Sequence, residues 1–420
     1  MINPGVVLAR WPRQKRRYNK IVAGVVIFLA AMLILWNQRD ESHQTDLDEL
    51  TQERPSGSKS EPSKLEDPPK HLTCIFGMWT GMANNIISIQ TSLVFAMRYN
   101  RTLIVPPLDN WDVTPSYWFS KSENVSDTSG LNRELINVNW GSEAFQDPYR
   151  RFSKYFHFES PSVTTIDMSD LAPNTTVKQS LRDSNNALLN NGKMWCWRSA
   201  GYDRDYPETM EEKYPITKWD QDDLVCIGVP FEILLHDARP RLKLTEWAVQ
   251  QAAALLDLNG LKGKRYLGIH LRRGNWDEYT THGRFALSTF AKGSLKGDSV
   301  ERRAPRDEHV IKAGEILRRR LEGLHDYKIS NFPVVVTTNE QNNSSIQRFE
   351  DAGWIVVKKR LPNLPDFAQI ALDLAILVGA TGFLGQYAST FTLLAINMRG
   401  CDVEAPEFPC GLYFGSSEIV

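Results

Sequence analysis

The chain has 420 residues, of which 42% are hydrophobic and 10% are aromatic. This composition supplies enough apolar material for a large packed core, and it excludes a disordered chain, a collagen, a disulfide-rich miniprotein and a multispan membrane protein. The 49 basic and 50 acidic residues nearly cancel, which argues against nucleic acid as a partner, although residues 1–39 carry only positive charges.

A basic N-terminus precedes a single apolar stretch. Residues 10–20 hold six cations and no acid, and the uncharged segment 21–38 would span roughly 27 Å as a helix. A cleaved signal peptide is the alternative, but no small-residue cleavage site follows the apolar run. Because the basic side of such a segment stays in the cytosol, we expect a cytoplasmic tail over 1–20 and a single-pass type II signal anchor over 21–38 in the Golgi or endoplasmic reticulum membrane.

The residues after the anchor predict a stalk and a lumenal body. Residues 39–70 are rich in Pro, Ser, Glu and Lys with almost no large apolar residue, which indicates an extended, disordered stalk. The size of the remainder predicts two domains, 71–240 and 241–420. All five cysteines lie on the lumenal side, where disulfides form. We expect Cys401 and Cys410 to pair, and the odd count leaves at least one thiol free or intermolecular.

The first half of the body begins with a loop, a helix and a strand. Apolar side chains at helical spacing predict a helix over 84–99, and residues 102–105 before two prolines read as a strand. Residues 110–240 show weak periodicity, so we interpret them as the irregular part of the first domain.

Helices and strands alternate in the second half. The predicted helices are 244–258, 307–322, 343–352, 366–377 and 389–398. The predicted strands are 266–271, 333–338, 354–358 and 381–385. This alternation indicates an α/β fold with a parallel sheet covered on both faces. Ligands of such sheets bind beyond the carboxyl ends of the strands, where helix N-termini favour phosphate.

Polar residues follow three of these strands. One strand delivers Arg272 and Arg273, the next delivers Thr338 and Asn339, and the last leads to Ser389, which begins a helix. Two arginines beside a helix start with hydroxyl groups would form a clamp for a diphosphate. Each feature also has a structural interpretation: the arginines as solvated surface residues, Ser389 as a simple helix cap, and the strand residue His270 as a core histidine bonded to the backbone.

Three segments together resemble a known superfamily. They are GMANNIISIQTSLVFAMRYNRTLIVPPL from Gly81, GIHLRRGNWDEY from Gly268 and FLGQYASTFTLLAINMRG from Phe383. In this order and spacing they are similar to the GDP-fucose-dependent O-fucosyltransferases, which share a G-x-x-N-N/Q start, an H-x-R-x-G motif and a late S-T-F segment. The resemblance covers most of residues 72–400 and is weakest between 110 and 240. It implies two Rossmann-like domains facing a cleft, of the GT-B type.

The resemblance also implies a reaction and a set of site residues. The expected reaction transfers fucose from GDP-fucose to a hydroxyl of a protein or glycan with inversion, without a metal or further cofactor. Arg272 would be the catalytic arginine on the β-phosphate. The other implied substrate-binding residues are Asn85 from the first domain, His270 at the nucleotide, Asp373 at the guanine, and Ser389, Thr390 and Phe391 on the phosphate and fucose side.

Some residues depart from the superfamily pattern. Asn275 stands where many relatives have Asp or Ser, and Ile86 stands where Gln is common. No acid lies near the glycine loop to act as a general base, and Asp277 and Glu278 are only weak candidates. GDP-mannose stays open as the donor.

Three other functions compete with this interpretation. The segment GATGFLG at 379–385 mimics a dinucleotide-binding loop, but only 35 residues follow it, too few for such a domain. The D-x-D pairs at 203–205 and 220–222 have the spacing of a metal-dependent glycosyltransferase, although neither follows an apolar strand. The third alternative is a non-catalytic lumenal protein that binds a sugar nucleotide.

Overall fold

A computed structural model gives the structure of the chain. It describes residues 70–75, 81–108, 119–126, 132–159, 164–171, 193–197, 224–228, 242–273, 305–324, 332–387, 389–401 and 407–414. The predicted tail, signal anchor and stalk lie outside these residues, so the membrane anchor and the Golgi or endoplasmic reticulum location stay predictions. Among the helices that are described, none is both long enough and apolar enough to cross a bilayer.

The described residues form the following elements. In chain order the strands are β1 (His71–Ile75), β2 (Thr102–Val105), β3 (Phe119–Ser126), β4 (Asn132–Val138), β5 (Phe156–Phe158), β6 (Thr165–Asp167), β7 (Lys193–Trp197), β8 (Leu224–Gly228), β9 (Leu242–Leu244), β10 (Leu267–Leu271), β11 (Val334–Thr338), β12 (Ile355–Val356) and β13 (Gly382–Gly385). The α-helices are α1 (Met82–Arg98), α2 (Glu143–Gln146), α3 (Phe152–Tyr155), α4 (Glu246–Leu258), α5 (Asp307–Leu324), α6 (Asn343–Asp351), α7 (Asp366–Gly379) and α8 (Thr390–Met398).

The first sheet has seven strands in the order β3-β4-β7-β8-β1-β2-β6. Strands β7 to β6 along this order are parallel, and β3 and β4 add an antiparallel pair at one edge. Five of these strands, β3, β4, β6, β7 and β8, lie between residues 110 and 240, so the expectation of an irregular region there is wrong for the described part. A disulfide between Cys196 on β7 and Cys226 on β8 joins neighbouring strands.

The second sheet is the predicted parallel sheet, in the order β12-β11-β10-β13. Alternate residues of its central strands enter two different cores. Leu267 and Val336 pack with α5 and α6, whereas Val335 packs with α4 and α7 on the other face. The sheet is therefore covered on both faces, and each predicted element of residues 244–398 is present within a few residues of its expected bounds.

Local signals explain where the helices of this half begin and end. Thr245 Oγ1 accepts the amide of Ala248 at 3.2 Å and so caps α4 at its N-terminus. Gly260 follows the helix with φ +89°, a conformation that glycine adopts without strain. At the end of α7, the buried Arg399 donates to the carbonyl oxygens of Leu377, Val378 and Ala380.

The last described segment, 407–414, covers the free edge of β13. Phe383 N–H donates to Pro409 O at 3.3 Å, and Gly385 N–H donates to Leu412 O at 2.9 Å. The predicted disulfide between Cys401 and Cys410 is confirmed, and it ties this segment to the end of α8. Cys74 is the free cysteine, and it is buried.

Both sheets belong to one compact unit, Asp67–Val420. Helices connect them: Gln90 of α1 donates from Nε2 to Asn397 Oδ1 of α8 at 3.1 Å. The α/β class with parallel sheets is thus confirmed, while the division at residue 240 and the arrangement around a cleft stay predictions.

Candidate functional site

The candidate site lies at the carboxyl ends of β10, β11 and β13. In register, His270 of β10 stands beside Thr337 on one side and Gly385 on the other. Arg272 and Arg273 follow β10 directly, and α8 begins only a few residues after β13. The structure therefore brings the predicted arginine motif and the predicted helix start to adjacent strand ends, as the strand order requires.

Side chains from the two flanking strands hold the backbone of both arginines. The amide of Arg272 donates to Gln386 Oε1 at 2.6 Å, and the amide of Arg273 donates to Asn339 Oδ1 at 2.6 Å. Because both amides lie beyond the end of β10, they have left the strand ladder and take side-chain acceptors instead. The backbone of Arg272 and Arg273 is therefore held in place at the carboxyl end of β10.

The two arginines differ in what their guanidinium groups do. Arg273 Nη2 donates to Pro305 O at 2.7 Å and lies 3.1 Å from Asp307 Oδ1. Its Nε lies 3.8 Å from Glu340 Oε2, and the side chain is largely buried. Acidic partners thus neutralise the charge of Arg273, and the diphosphate clamp of two arginines stays a prediction.

His270 is buried and bonded to a side chain rather than to the backbone. Its Nδ1 lies 2.7 Å from Thr392 Oγ1, and its ring packs on Phe391 with centroids 4.9 Å apart. Burial, and then the charge of Arg272, lower the pKa of His270 to about 3. The imidazole is therefore neutral at physiological pH, and it adds no charge to the site.

The N-terminus of α8 closes the site on the side of β13. Ser389 occupies the N-cap position, but its hydroxyl makes no capping hydrogen bond. The first-turn amides of a helix lack intrahelical acceptors, and the helix dipole adds a partial positive charge there. Thr392 lies close to the strand because Gly385 has no side chain: a Cβ at this position would lie 2.2 Å from Thr392 Cγ2.

Asp373 lies on α7, where it is bonded to a basic residue. Arg360 donates from Nη1 to Asp373 Oδ1 at 2.6 Å. Burial raises the pKa of the Asp373 carboxyl, and Arg360 opposes that shift. The helix faces the same side of β10 as His270, because a Cβ on Gly268 would meet Ala380 and Leu377.

Asn85 lies in the first turn of α1 and is fully buried. Its helix contacts α8, because Gln90 of α1 donates to Asn397 near the C-terminal end of α8. A role for Asn85 at the nucleotide sugar stays a prediction.

Three polar residues of the site escaped the sequence analysis. Gln386 and Thr392 are fully buried, and the Gln386 backbone amide donates to Thr392 Oγ1 at 3.1 Å. Thr337, beside His270, buries a hydroxyl that has no hydrogen-bond partner among the described residues. For Gln386 and Thr337 the available signal was a position at the end of a strand, whereas Thr392 lies in the first turn of α8. Apolar neighbours make such single polar residues look like core positions.

The structure also bears on the competing interpretations. The glycines at 379–385 lie between the end of α7 and β13, a helix-to-strand connection, whereas a dinucleotide loop runs from strand to helix. The D-x-D pairs and the residues Asn275, Asp277 and Glu278 lie outside the described residues. Within the described part of the chain, no group of His, Cys, Asp and Glu is arranged to hold a metal ion.

Comparisons with known proteins place the fold beside solved fucosyltransferase structures. A structure of POFUT1 in complex with GDP-fucose is 12% identical over 84% of this chain and 99% of its own, with a TM-score of 0.47. FUT1 of Arabidopsis thaliana, as a mutant in complex with GDP, is 12% identical over 85% and 73%, with a TM-score of 0.36. The fucosyltransferase NodZ from Bradyrhizobium is 12% identical over 78% and 92%, with a TM-score of 0.36. No family model and no curated protein matches the sequence.

Proposed function

We propose that this protein is a fucosyltransferase that moves fucose from GDP-fucose to a hydroxyl of a protein serine or threonine, or of a glycan, with inversion at the anomeric carbon. The observation that carries the proposal is the junction of Arg272 with the start of α8. The Arg272 amide is bonded to Gln386, only three residues before the N-cap residue Ser389. A cationic side chain and a helix N-terminus thus share one strand end.

This junction suits the departure of a diphosphate. Breaking the anomeric C–O bond places negative charge on the β-phosphate, while the sugar gains oxocarbenium character. A guanidinium that binds this growing charge more tightly in the transition state than in the ground state accelerates the reaction. Arginine suits the role because it stays charged and can donate two parallel hydrogen bonds. Amides at the start of α8 would share the same negative charge.

The neighbouring residues define a role for each side of the donor. Ser389, whose hydroxyl is not used as a cap, and Thr390 would bind phosphate oxygens, and Phe391 would pack beside the fucose. His270 would contact the nucleotide as a neutral imidazole. Asp373, on the helix over the same face of the sheet, would accept hydrogen bonds from the guanine. Asn85 would reach the nucleotide sugar from the first domain.

The sequence also predicts the cellular setting of the protein and the region that would contact the acceptor. A type II anchor over 21–38 would place the body in the lumen of the Golgi or endoplasmic reticulum. The region 110–240, where the resemblance is weakest, would select the acceptor.

Binding experiments on the full chain in detergent test the donor. We expect GDP and GDP-fucose to raise the thermal midpoint with and without EDTA, while UDP-sugars and NAD do not. GDP-mannose is the matched alternative donor. Stabilisation that EDTA abolishes would instead indicate the metal-dependent class.

Transfer experiments test the chemistry. With radiolabelled GDP-fucose and a lumenal extract, the wild-type chain should release GDP and label an acceptor. Arg272→Ala should lose about 10²–10³-fold in turnover, as removal of one such donor typically does, and should keep its thermal midpoint. The exposed Arg319 on α5 provides the control variant Arg319→Ala. Wild-type turnover in Arg272→Ala would remove Arg272 from the mechanism, and GDP binding without any turnover would favour a non-catalytic protein.

A further inference from the structure

We infer that Gln386 is a positioning residue that holds Arg272 in register with the N-terminus of α8. The inference rests on the proposed function, because it assigns to Gln386 the task of aiming the arginine at the diphosphate. Nothing in the sequence motifs singles out this residue, since it stands between a glycine and a tyrosine within an apolar strand end.

The contacts of Gln386 connect the two sides of the site. Its side-chain Oε1 accepts the Arg272 backbone amide at 2.6 Å, and its backbone amide donates to Thr392 Oγ1 at 3.1 Å. Thr392 Oγ1 in turn lies 2.7 Å from His270 Nδ1. The side chain of Gln386 thus binds the Arg272 backbone, while its backbone binds Thr392, which in turn contacts His270.

The strand ends explain why a side chain is needed here. The register of β10 with β13 ends at His270 and Gly385, so the Arg272 amide lies past the last strand partner on that side. Gln386 extends the ladder by one hydrogen bond through its side chain. Because the residue is fully buried, water cannot easily replace the lost acceptor if the amide is removed.

The geometry of this bond has a catalytic consequence. Arg272 has a long, flexible side chain, so the position of its Cα and the direction of its Cα–Cβ bond limit where the guanidinium can lie. A small displacement of a charged donor costs much of its transition-state stabilisation, whereas ground-state binding through the guanosine end is less affected. Loss of the Gln386 acceptor should therefore lower kcat more than it raises KM.

Gln386→Met is the principal variant, because methionine has similar length and no amide. With GDP-fucose, we expect kcat to fall at least tenfold while KM and the Kd for GDP stay within threefold. Gln386→Asn keeps an amide but is one methylene too short to reach Arg272, and it should show the same split if the methionine variant does not fold. The exposed Gln347 on α6 supplies the matched control Gln347→Met.

A double-mutant cycle separates positioning from a merely structural role. In an Arg272→Ala background, the cationic side chain that Gln386 is inferred to aim is gone, so Gln386→Met should lower the residual kcat less than twofold. Equal losses in both backgrounds, or wild-type kcat in both Gln386 variants of an active enzyme, would overturn the inference and leave the proposed function standing. A wild-type chain that neither binds GDP nor transfers fucose would overturn both.

Discussion

Arg360 donates a hydrogen bond from Nη1 to Oδ1 of Asp373 at 2.6 Å, and it does so from a half-exposed side chain to a buried one. The arginine follows β12, whereas the aspartate lies in the middle of α7. Burial of Asp373 raises the pKa of its carboxyl, and the charge of Arg360 opposes that shift. Buried acids with a shifted pKa occur most often at functional sites, so Asp373 is a candidate binding residue.

Asp373→Asn tests that role. Arg360 is partly exposed to solvent, and the Asn carbonyl can still accept its hydrogen bond, so the free energy of unfolding at neutral pH should change by no more than about 1 kcal/mol. If Asp373 binds the guanine, the affinity for GDP should fall at least tenfold, about 1.4 kcal/mol, while the affinity for inorganic pyrophosphate should not change. Asp366→Asn, an exposed position at the start of the same helix, is the control. Equal losses for GDP and pyrophosphate would argue against guanine recognition by Asp373.

His270 should make stability depend on pH. Its pKa falls from 6.5 to about 3 on folding, so between these values the unfolded chain binds a proton that the folded chain does not. Its contribution to stability is complete above pH 6.5 and is lost as the pH falls toward 3. At pH 5.5 the loss is about 1.4 kcal/mol relative to pH 7.5.

Urea unfolding at the two pH values measures this contribution. His270→Asn should show a smaller loss than the wild type by that amount, whereas the variant of the exposed His157, His157→Asn, should behave as the wild type does. An unchanged pH dependence in His270→Asn would mean that the imidazole accepts a proton in the folded state.

Thiol counting should distinguish the one free cysteine from the four cysteines that form disulfides. Burial raises the pKa of Cys74 to about 12, and the other four form two disulfides. A maleimide should therefore label no thiol in the native protein, one after unfolding without reductant, and five after unfolding with reductant. Cys74→Ala should lower each non-zero count by one. Labelling of the native protein would contradict the burial of Cys74.

Arg399 should be irreplaceable by a hydrophobic residue of similar size. Its guanidinium donates to six backbone carbonyl oxygens, those of Leu377, Val378, Ala380, Thr381, Pro409 and Cys410. Burial lowers the pKa of Arg399 to about 10, which still leaves it charged at neutral pH. Arg399→Met would strand several of these oxygens, and we expect a loss of more than about 3 kcal/mol in urea unfolding. Arg319→Met is the exposed control, and an equal effect of both would refute the assignment.

The second half of the chain could be predicted because its local signals agree. In α5 the apolar residues recur at helical spacing, and β10 and β11 are short apolar runs between turn residues, so periodicity and length point to the same elements. In the first half of the chain, the predicted bounds of β2 likewise coincide with the observed strand Thr102–Val105. The strand-end rule then placed Arg272 beside the start of α8.

The first sheet and part of the site could not be predicted in this way. Strand β3, FSKSENVS, is polar, and it forms because β4 pairs with it. The Cys196–Cys226 pair depends on the adjacency of β7 and β8, which are brought together by the sheet and not by sequence spacing. Likewise, the neutralisation of Arg273 depends on Asp307 at the start of α5, which is 34 residues away in the sequence. Such long-range contacts leave no local pattern.

The C-terminal segment gives the second sheet a finished border. An outer strand with unused amides and carbonyls is a template on which another polypeptide can add, and natural proteins guard against that hazard. Here carbonyl oxygens of residues 407–414 accept hydrogen bonds from amides of β13, and the Cys401–Cys410 disulfide holds this segment against the strand. Reduction of the Cys401–Cys410 disulfide would release this segment from α8 and expose the edge of β13. We therefore expect the protein to self-associate through β13 when it is prepared with strong reductants.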